Sequence, residues 1–474
     1  MADTGQTGGR GPESVSYNIF YRFLRLFADI RPGEALTVFL LTLNIFLLLL
    51  AYYLIKPVRE ALVIASLGPL VRSCLAGAQA ILFIFVIKGF SRLSSKVPRQ
   101  LLITWVTVFF ISNLGLFYLF HLWRMPMRTM AVAFFIWVGI FSLMVVAQFW
   151  GFANDIYNDE DGKRLFPLIA VGQTCGAVFG SSIALLIIRP LGAHFAYIMM
   201  LMTAGLLGIP IALTIVVHNR EIRQIRERAF KVDPKIIEEE KVKEQPLKKG
   251  GGFRLIFQSR YLLFYAFLIF FLNYVNYMGE NIWGLIVKQA AVKAVHMGMT
   301  GGMNEAQYTA GIYSEYQFLY NVIALVVQLF LVSRIFKWVG VSGALLIFPL
   351  IALGGYTLVG LGASLVLIKW VKGFENGVDY SLMNTTKGAL FLITSREEKY
   401  KAKAASETFF YRGGDALAAL IFFIGLSYLH FTVESFAKLN VVVTLIWIVF
   451  CFLVIREYKK IKARAAVPAL GQSS

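Results

Sequence analysis

The chain has 474 residues, of which 58% are hydrophobic and only 15% are charged. Together with a mean hydropathy of +0.67, this composition excludes a soluble globular protein, because such a protein needs far more polar surface. In a soluble protein the net charge of +19 would suggest a nucleic-acid partner. We expect no such partner, because membrane proteins concentrate Lys and Arg in the loops on one side of the bilayer.

Apolar runs of about 20 residues, the length that crosses a bilayer, recur along most of the chain. They predict an all-α membrane protein with twelve transmembrane helices embedded in a lipid bilayer. The first run lacks the small-residue cleavage site of a removable signal peptide. The predicted spans are 35–56, 69–89, 101–122, 129–150, 166–188, 193–217, 260–286, 309–332, 338–361, 365–386, 405–428 and 438–456.

A long polar stretch divides these spans six and six. The predicted segments are a cytoplasmic N-terminal segment at 1–34, a six-helix half at 35–217, a cytoplasmic linker at 218–259, a second half at 260–456 and a cytoplasmic tail at 457–474. Phe141–Met144 resembles Tyr380–Met383 in the corresponding span, which favours a duplicated unit. Both termini are expected in the cytoplasm, because most Lys and Arg then lie on that side. Residues 17–31 predict an amphipathic surface helix or an extension of the first span.

The first charges that hydrocarbon should exclude lie at the end of the first span, in Lys56-Pro-Val-Arg59-Glu60. Adjacent residues diverge on a helix, so we expect Arg59 to contact Glu60 poorly and to form a basic face with Lys56. Such a face can bind phosphate, because Arg offers a planar fork of donors and Lys a point charge. The alternative is a pair of side chains that snorkel to the membrane edge.

The seventh span carries a polar stripe. Asn273, Asn276 and Glu280 share one helical face, and Asn281 follows them. An ionised Glu inside a membrane needs a cation or a proton, so Glu280 is expected to pair with one of the cations of the other spans. The alternative is a structural hydrogen-bond network without a ligand.

The tenth span is the most informative segment. Lys372, Asn376, Asp379, Met383 and Lys387 recur at steps of three or four residues, which predicts a single helical face. A charge at mid-bilayer costs about 2.5–3.5 kcal/mol, so such residues normally face a polar cavity or a partner. The alternative is an ion-paired hinge that binds no ligand.

Other polar residues favour structural roles. Arg412 and Asp415 in the eleventh span are expected to neutralise one another, and the acidic cluster at 159–161 is expected to form a loop network. The three cysteines and five histidines lack disulfide or metal-ligand spacing, and no Walker-type phosphate loop occurs. We therefore expect no enzyme chemistry, no metal and no cofactor.

Several stretches together resemble one family. Phe149–Asn154, followed by Gly162–Leu168, resembles the strongest signature of the ATP/ADP translocase family of plastids and obligate intracellular bacteria. Stretches in the first, seventh and tenth spans resemble further motifs of that family, namely Lys56–Ile64, Tyr277–Trp283 and Asp379–Lys387. The resemblance implies twelve helices of the major facilitator type, exchange of adenine nucleotides and a bacterial inner membrane. It also implies functional residues at Arg59, Glu280 and Lys387.

The function that we expect is transport of an anion, with the two halves rocking about a central site. The candidate substrate-binding residues are Lys56, Arg59, Glu280, Lys372, Asp379 and Lys387. The basic residues among them would hold the phosphates of ATP or ADP, and Trp283 or Tyr380 would stack on the base. One alternative is transport of another anionic or phosphorylated solute, including proton-coupled uptake through Glu280 or Asp379. Another is a membrane protein that transports nothing.

Overall fold

The computed structural model describes residues 34–94, 97, 99–157, 159–229, 252–395 and 398–466. All regular structure in these residues is helical, in agreement with the predicted fold class. The predicted amphipathic helix at 17–31 and most of the predicted linker lie outside the described residues.

Twelve long helical segments make up nearly all of the described chain. Two continuous runs break at a glycine with positive φ, 84° at Gly68 and 65° at Gly340, a conformation that residues with a Cβ rarely adopt. The segments are α1 (35–67), α2 (69–94), α3 (Arg99–Leu122), α4 (Met127–Ile156), α5 (Asp159–Ile188), α6 (Phe195–Ala229), α7 (Arg260–His296), α8 (305–339), α9 (341–360), α10 (365–393), α11 (398–427) and α12 (Val433–Ala466). The short helix Gly252–Gln258 precedes α7.

Nine stretches of the described chain are long and apolar enough to cross a membrane. Two of them, Ala35–Ile87 and Glu305–Gly360, are 53 and 56 residues long, and each contains one of the glycine breaks. If each of these two stretches is counted as two spans, the nine stretches correspond to eleven of the twelve predicted crossings. The polar helix α10 is not among the nine, so its crossing stays a prediction.

Several helices are longer than the predicted spans. The first span was predicted to end at residue 56, but α1 continues through Pro57 to residue 67, because membrane helices tolerate a proline whose freed carbonyl is satisfied by neighbours. Helix α6 continues into the predicted linker as far as Ala229. Apolar length marks the hydrocarbon crossing only, whereas helical hydrogen bonds continue into the polar ends. The segment boundaries therefore stay a prediction.

Polar caps fix where helices of the second half begin. The Asn304 side chain accepts a hydrogen bond from the backbone N–H of Gln307 at the start of α8, at 2.8 Å. Ser364 caps α10 in the same way, through the N–H of Leu367. These caps satisfy backbone donors that the first turn of a helix leaves without a partner.

The helices form two groups, as the major facilitator architecture requires. Helices α1 to α6 pack against one another, and α7 packs against α11 and α12 in the second group. The groups meet where α8 contacts α5 and the α1–α2 pair, and where α7 and α11 contact that pair. A central site can therefore draw side chains from both groups.

Helices α1 and α5 approach so closely that three glycines separate their backbones. A Cβ on Gly172 would lie 2.6 Å from the carbonyl oxygen of Thr42, and one on Gly180 would lie 2.5 Å from that of Leu50. Gly176, between them, faces the carbonyl of Phe46 in the same way. Small residues at four-residue spacing allow this backbone contact in membrane helices.

Replacing Gly176 with Ala is expected to destabilise the fold, because the new Cβ would overlap the Phe46 carbonyl and force α1 from α5. We expect the free energy of unfolding to fall by about 1–3 kcal/mol, measured as a lower melting temperature of the purified protein in detergent. Gly205→Ala in α6 is the matched control, since a Cβ there meets nothing within 4 Å. Equal melting temperatures for the two variants would contradict the close contact.

Candidate functional site

Helix α1 carries Lys56 in its interior rather than at a membrane edge. The Lys56 ammonium donates a hydrogen bond to the hydroxyl of Tyr320 at 2.7 Å. It also lies 5.7, 4.9 and 5.3 Å from the ring centroids of Tyr52, Tyr53 and Tyr320. Three aromatic faces stabilise a cation by their quadrupoles, so the ammonium is held in place without a carboxylate.

Arg59 contacts Glu60, and the prediction that these neighbours meet only poorly was wrong. The Arg59 Nε donates to Glu60 Oε1 at 3.0 Å, and its Nη2 contacts the same oxygen. Helical spacing describes the directions of Cβ atoms, whereas the long guanidinium side chain folds back along the helix. Arg72 of α2 donates to the other oxygen, Oε2, at 2.6 Å. Glu60, only 2% exposed, is therefore shared between two arginines.

Helix α7 presents the predicted polar stripe to the centre of the bundle. Asn273, Asn276 and Glu280 all line the central cavity. Glu280 accepts hydrogen bonds from the hydroxyl of Tyr316 at 2.8 Å and from the amide of Asn376 at 3.0 Å. Its carboxylate is thus held between α8 and α10 by a donor from each helix.

Helix α10 contains a π turn, Asp379–Met383, in the middle of its polar face. The cavity is lined by Asn376, Asp379 and Lys387 of the predicted face, together with Tyr380 and Asn384. Met383 was also expected on this face, but it is fully buried and absent from the cavity lining. A π turn contains one more residue than an α turn, so Asn384 takes the place that α-helical spacing assigned to Met383.

Lys372, the remaining candidate, lies behind the cavity wall. It is 5% exposed, and its ammonium lies 3.1 Å from Glu375 Oε1 and 3.8 Å from Glu280 Oε1. The Tyr356 hydroxyl donates a hydrogen bond to Glu375 at 2.8 Å. Lys372 therefore contacts the cavity through Glu280 rather than directly.

The cavity has a volume of about 510 Å³, within the range of small-molecule sites. Nine charged side chains line it, five basic and four acidic: Lys56, Arg59, Arg72, Lys387, Arg412, Glu60, Glu280, Asp379 and Asp415. The predicted Arg412–Asp415 pair is present, at 3.1 Å. Asp379 accepts a hydrogen bond from Asn276 at 2.9 Å.

Two cations of the cavity lack an acidic partner. Among the described residues, neither Lys56 nor Lys387 has a carboxylate oxygen within 4 Å, whereas each of the arginines has one. Lys56 belongs to the first half and Lys387 to the second. The lining thus offers positive charge to an anion from both sides.

Sequence reasoning missed Glu60 and Arg72 as parts of the site. Glu60 was left out because adjacent side chains point in different directions on a helix. Arg72 was overlooked because the second span is apolar on average. An arginine within the first turn of a predicted membrane span is a signal that could have identified it, because such a charge needs a partner.

The aromatic candidates differ in access. Tyr380 lines the cavity with 51% of its surface exposed. Trp283, expected to stack on a base, is only 1% exposed and packs against Tyr316, with ring centroids 4.9 Å apart. Within the described ranges, no group of three or more His, Cys, Asp or Glu residues is arranged to hold a metal ion.

The fold is similar to those of solved transporters. A bacterial homologue of the human lysosomal transporter Spinster, in an inward-facing and unoccupied conformation, superposes with a TM-score of 0.55 and 15% identity, covering 91% of this chain and 99% of that one. The nucleoside transporter NupG superposes with a TM-score of 0.59 and 11% identity, covering 89% and 99%. These similarities confirm the predicted major facilitator type of fold.

Two curated relatives match by sequence. The chain is 24% identical over 369 residues to ADP,ATP carrier protein 2 of Chlamydia pneumoniae, covering 70% of this chain and 66% of that protein. It is 23% identical over 310 residues to ADP,ATP carrier protein 2 of Chlamydia trachomatis serovar D, covering 59% and 56%. The matches span less than two thirds of the length of either relative.

The family comparison agrees with the resemblance seen in the sequence motifs. The sequence model of the TLC ATP/ADP transporter family matches residues 130–462. This range covers more than half of the chain and includes α7 and α10, which contribute Glu280 and Lys387 to the cavity. The chain is therefore a multi-pass membrane protein that belongs to the TLC ATP/ADP transporter family.

Proposed function

We propose that the protein exchanges ATP for ADP across a membrane by alternating access to the central cavity. The family and the names of the chlamydial relatives support the nucleotide as substrate, and the major facilitator type of fold supports the mechanism. The membrane would be a bacterial inner membrane, with both termini in the cytoplasm, as the distribution of Lys and Arg predicts.

One observation carries this proposal: Lys56 and Lys387 face one cavity from opposite halves, and neither has a carboxylate partner. Burying an unpaired charge is costly, and a partner that arrives from solution removes part of that cost. A phosphate chain is such a partner, because it offers several anionic oxygens to both lysines and to the guanidinium of Arg59. The cavity is thus more favourable with an anion than without one.

Coupled exchange follows from the same charges. Reorienting the empty carrier would carry the unneutralised lysines through a closed intermediate of low dielectric, where charge is expensive. A bound nucleotide neutralises them, so the loaded carrier reorients more readily. Net flow without a counter-substrate is therefore expected to be slow.

The acidic residues would tune this cavity rather than bind phosphate. Glu280 holds Tyr316, Asn376 and, at a longer distance, Lys372, so it would fix α7 relative to α8 and α10. Lys372 would act through Glu280. Asp379, which accepts a hydrogen bond from Asn276, would keep the net charge of the lining close to zero. Its negative charge would also direct the substrate towards the lysines.

Vesicles reconstituted with the purified protein test the function. We expect labelled ATP to enter vesicles preloaded with ADP much faster than empty vesicles. Uptake driven by a proton gradient without preloading would instead support the proton-coupled alternative. Absence of flux with any phosphorylated solute would refute transport by this scaffold.

Removal of a cavity cation tests the phosphate assignment. Lys387→Ala and Arg59→Ala are each expected to weaken ATP binding by about 1.5–3 kcal/mol, the value of a charge-assisted hydrogen bond, as measured by calorimetry on the purified protein. Lys369→Ala is the matched control on α10, because Lys369 pairs with Glu315 at 2.5 Å and lies outside the cavity lining. Parental affinity in both cavity variants would show that the assignment is wrong.

Glu280→Gln separates the positioning of helices from substrate binding. The amide can keep a hydrogen bond to Tyr316, but the charge that faces Lys372 is lost. We expect the exchange rate to fall by about tenfold or more, with ATP affinity changed by less than about threefold. Exchange rates in vesicles and binding of labelled ATP measure the two effects, and equal losses in both would count against the positioning role.

A further inference from the structure

The two halves are joined by hydrogen bonds at the far end of the bundle, opposite the start of α1 and the end of α12. The Lys288 ammonium of α7 donates to the carbonyl of Ala65 at 3.1 Å, near the end of α1. The Gln307 amide of α8 donates to the carbonyl of Ile188 at 2.8 Å, at the end of α5. These contacts hold the far end closed.

Deeper in the bundle, at a wall of the cavity that Arg72 and Tyr277 help to line, α2 and α7 form a second set of contacts. Arg72 Nη1 donates to Asn281 Oδ1 at 3.3 Å, and the Asn281 amide donates to Ser73 Oγ at 3.1 Å. The Tyr277 hydroxyl donates to the carbonyl of Ser73 at 2.7 Å. We call these four residues, Arg72, Ser73, Tyr277 and Asn281, the far-end latch.

One carboxylate connects the latch to Arg59. Glu60 binds both Arg59 and Arg72, and all three line the cavity. Of the two arginines, Arg72 also contacts Asn281 of the latch. The three groups carry two positive charges and one negative charge, so Glu60 cannot fully neutralise both arginines. Whatever binds Arg59 must change how Glu60 is shared.

We propose that Glu60 and Arg72 transmit the occupancy of the cavity to the far-end latch. An anion on Arg59 competes with Glu60 for that guanidinium, so Glu60 binds Arg72 more tightly. Arg72 is then drawn towards α1, and its contact with Asn281, at 3.3 Å, is lost. Glu60, Arg72 and Asn281 are thus positioning residues, which keep the far end closed until the cavity is occupied.

The inference rests on the proposed function only in taking the anion to be a nucleotide phosphate. The reporter is Ala76→Cys, because Ala76 lines the cavity one turn below the latch on α2. The native cysteines Cys74, Cys175 and Cys451 are first replaced with serine or alanine. The rate of labelling by a membrane-impermeant thiol reagent, applied to intact cells from the far side, then measures how often the far end opens.

Two substitutions of Asn281 test the latch in opposite directions. Asn281→Ala removes the contact with Arg72 and is expected to raise labelling without nucleotide by about tenfold. Asn281→Asp gives Arg72 a second carboxylate and balances the cluster at two positive and two negative charges. It is expected to slow labelling below the parental rate and to raise the melting temperature. If Asn281→Asp does not fold, Asn281→Ala alone decides.

Glu60→Gln tests the transmission separately, in the same reporter background and in vesicles that admit ADP to the cavity from the other side. In the parent, ADP is expected to raise labelling by about tenfold. In Glu60→Gln, ADP is expected to bind, detected by calorimetry, without changing the labelling rate. Arg72→Ala provides the control. In that background Asn281→Asp is expected not to slow labelling, because the new carboxylate has lost the guanidinium that it would bind.

The outcomes separate this inference from the proposed function. Labelling that depends on Asn281 in a protein that exchanges no nucleotide would leave the latch intact and refute the exchange. Exchange at the parental rate, with labelling unaffected by either Asn281 variant, would overturn the latch. An ADP response that persists in Glu60→Gln would overturn the transmission through Glu60.

Discussion

The structure depends on the need to keep charged side chains away from hydrocarbon. Nine charged residues line one cavity in a chain that is otherwise suited to lipid, and a lipid-facing position would cost each of them a few kcal/mol, about 2.5–3.5 on insertion scales. Two groups of helices that meet around the cavity satisfy this requirement. The hydrogen bond between Asn376 of α10 and Glu280 of α7 lies within the same enclosure.

In the proposed exchange, the positions of the unpaired cations let a bound anion act on both halves of the protein. Lys56 lies on α1 and Lys387 on α10, so one anion between them bridges the two halves. A ligand shifts a conformational equilibrium only by the difference in its affinity for the two states. Cations on both sides of the moving interface provide that difference, because their separation changes whenever the halves rock.

Much of this arrangement could be predicted from sequence, because helical spacing is a local property. The spacing of Asn273, Asn276 and Glu280 predicted their common face, and the steps between Asn376, Asp379 and Lys387 placed them together. The π turn at Asp379–Met383 could not be predicted in this way, since it depends on how α10 packs against its neighbours. Because of that turn, Asn384 lines the cavity where helical spacing predicted Met383.

Charge pairing was harder to predict than helix faces. Arg59 and Glu60 meet because a long flexible side chain can fold back, which the direction of the Cβ atoms does not show. Lys372 was assigned to the substrate, but it lies beyond the cavity wall between Glu375 and Glu280. Which carboxylate pairs with which cation depends on tertiary contacts, because the competing partners lie only one helical turn apart.

A melting series tests most directly whether the cavity binds the phosphates of a nucleotide. The purified protein would be heated with adenosine, AMP, ADP or ATP at equal concentration, with inorganic phosphate and a sugar phosphate as controls. We expect the melting temperature to rise most with ADP and ATP and to stay unchanged with adenosine, because adenosine brings no charge to Lys56, Arg59 and Lys387. Stabilisation by adenosine as large as that by ATP would contradict phosphate binding.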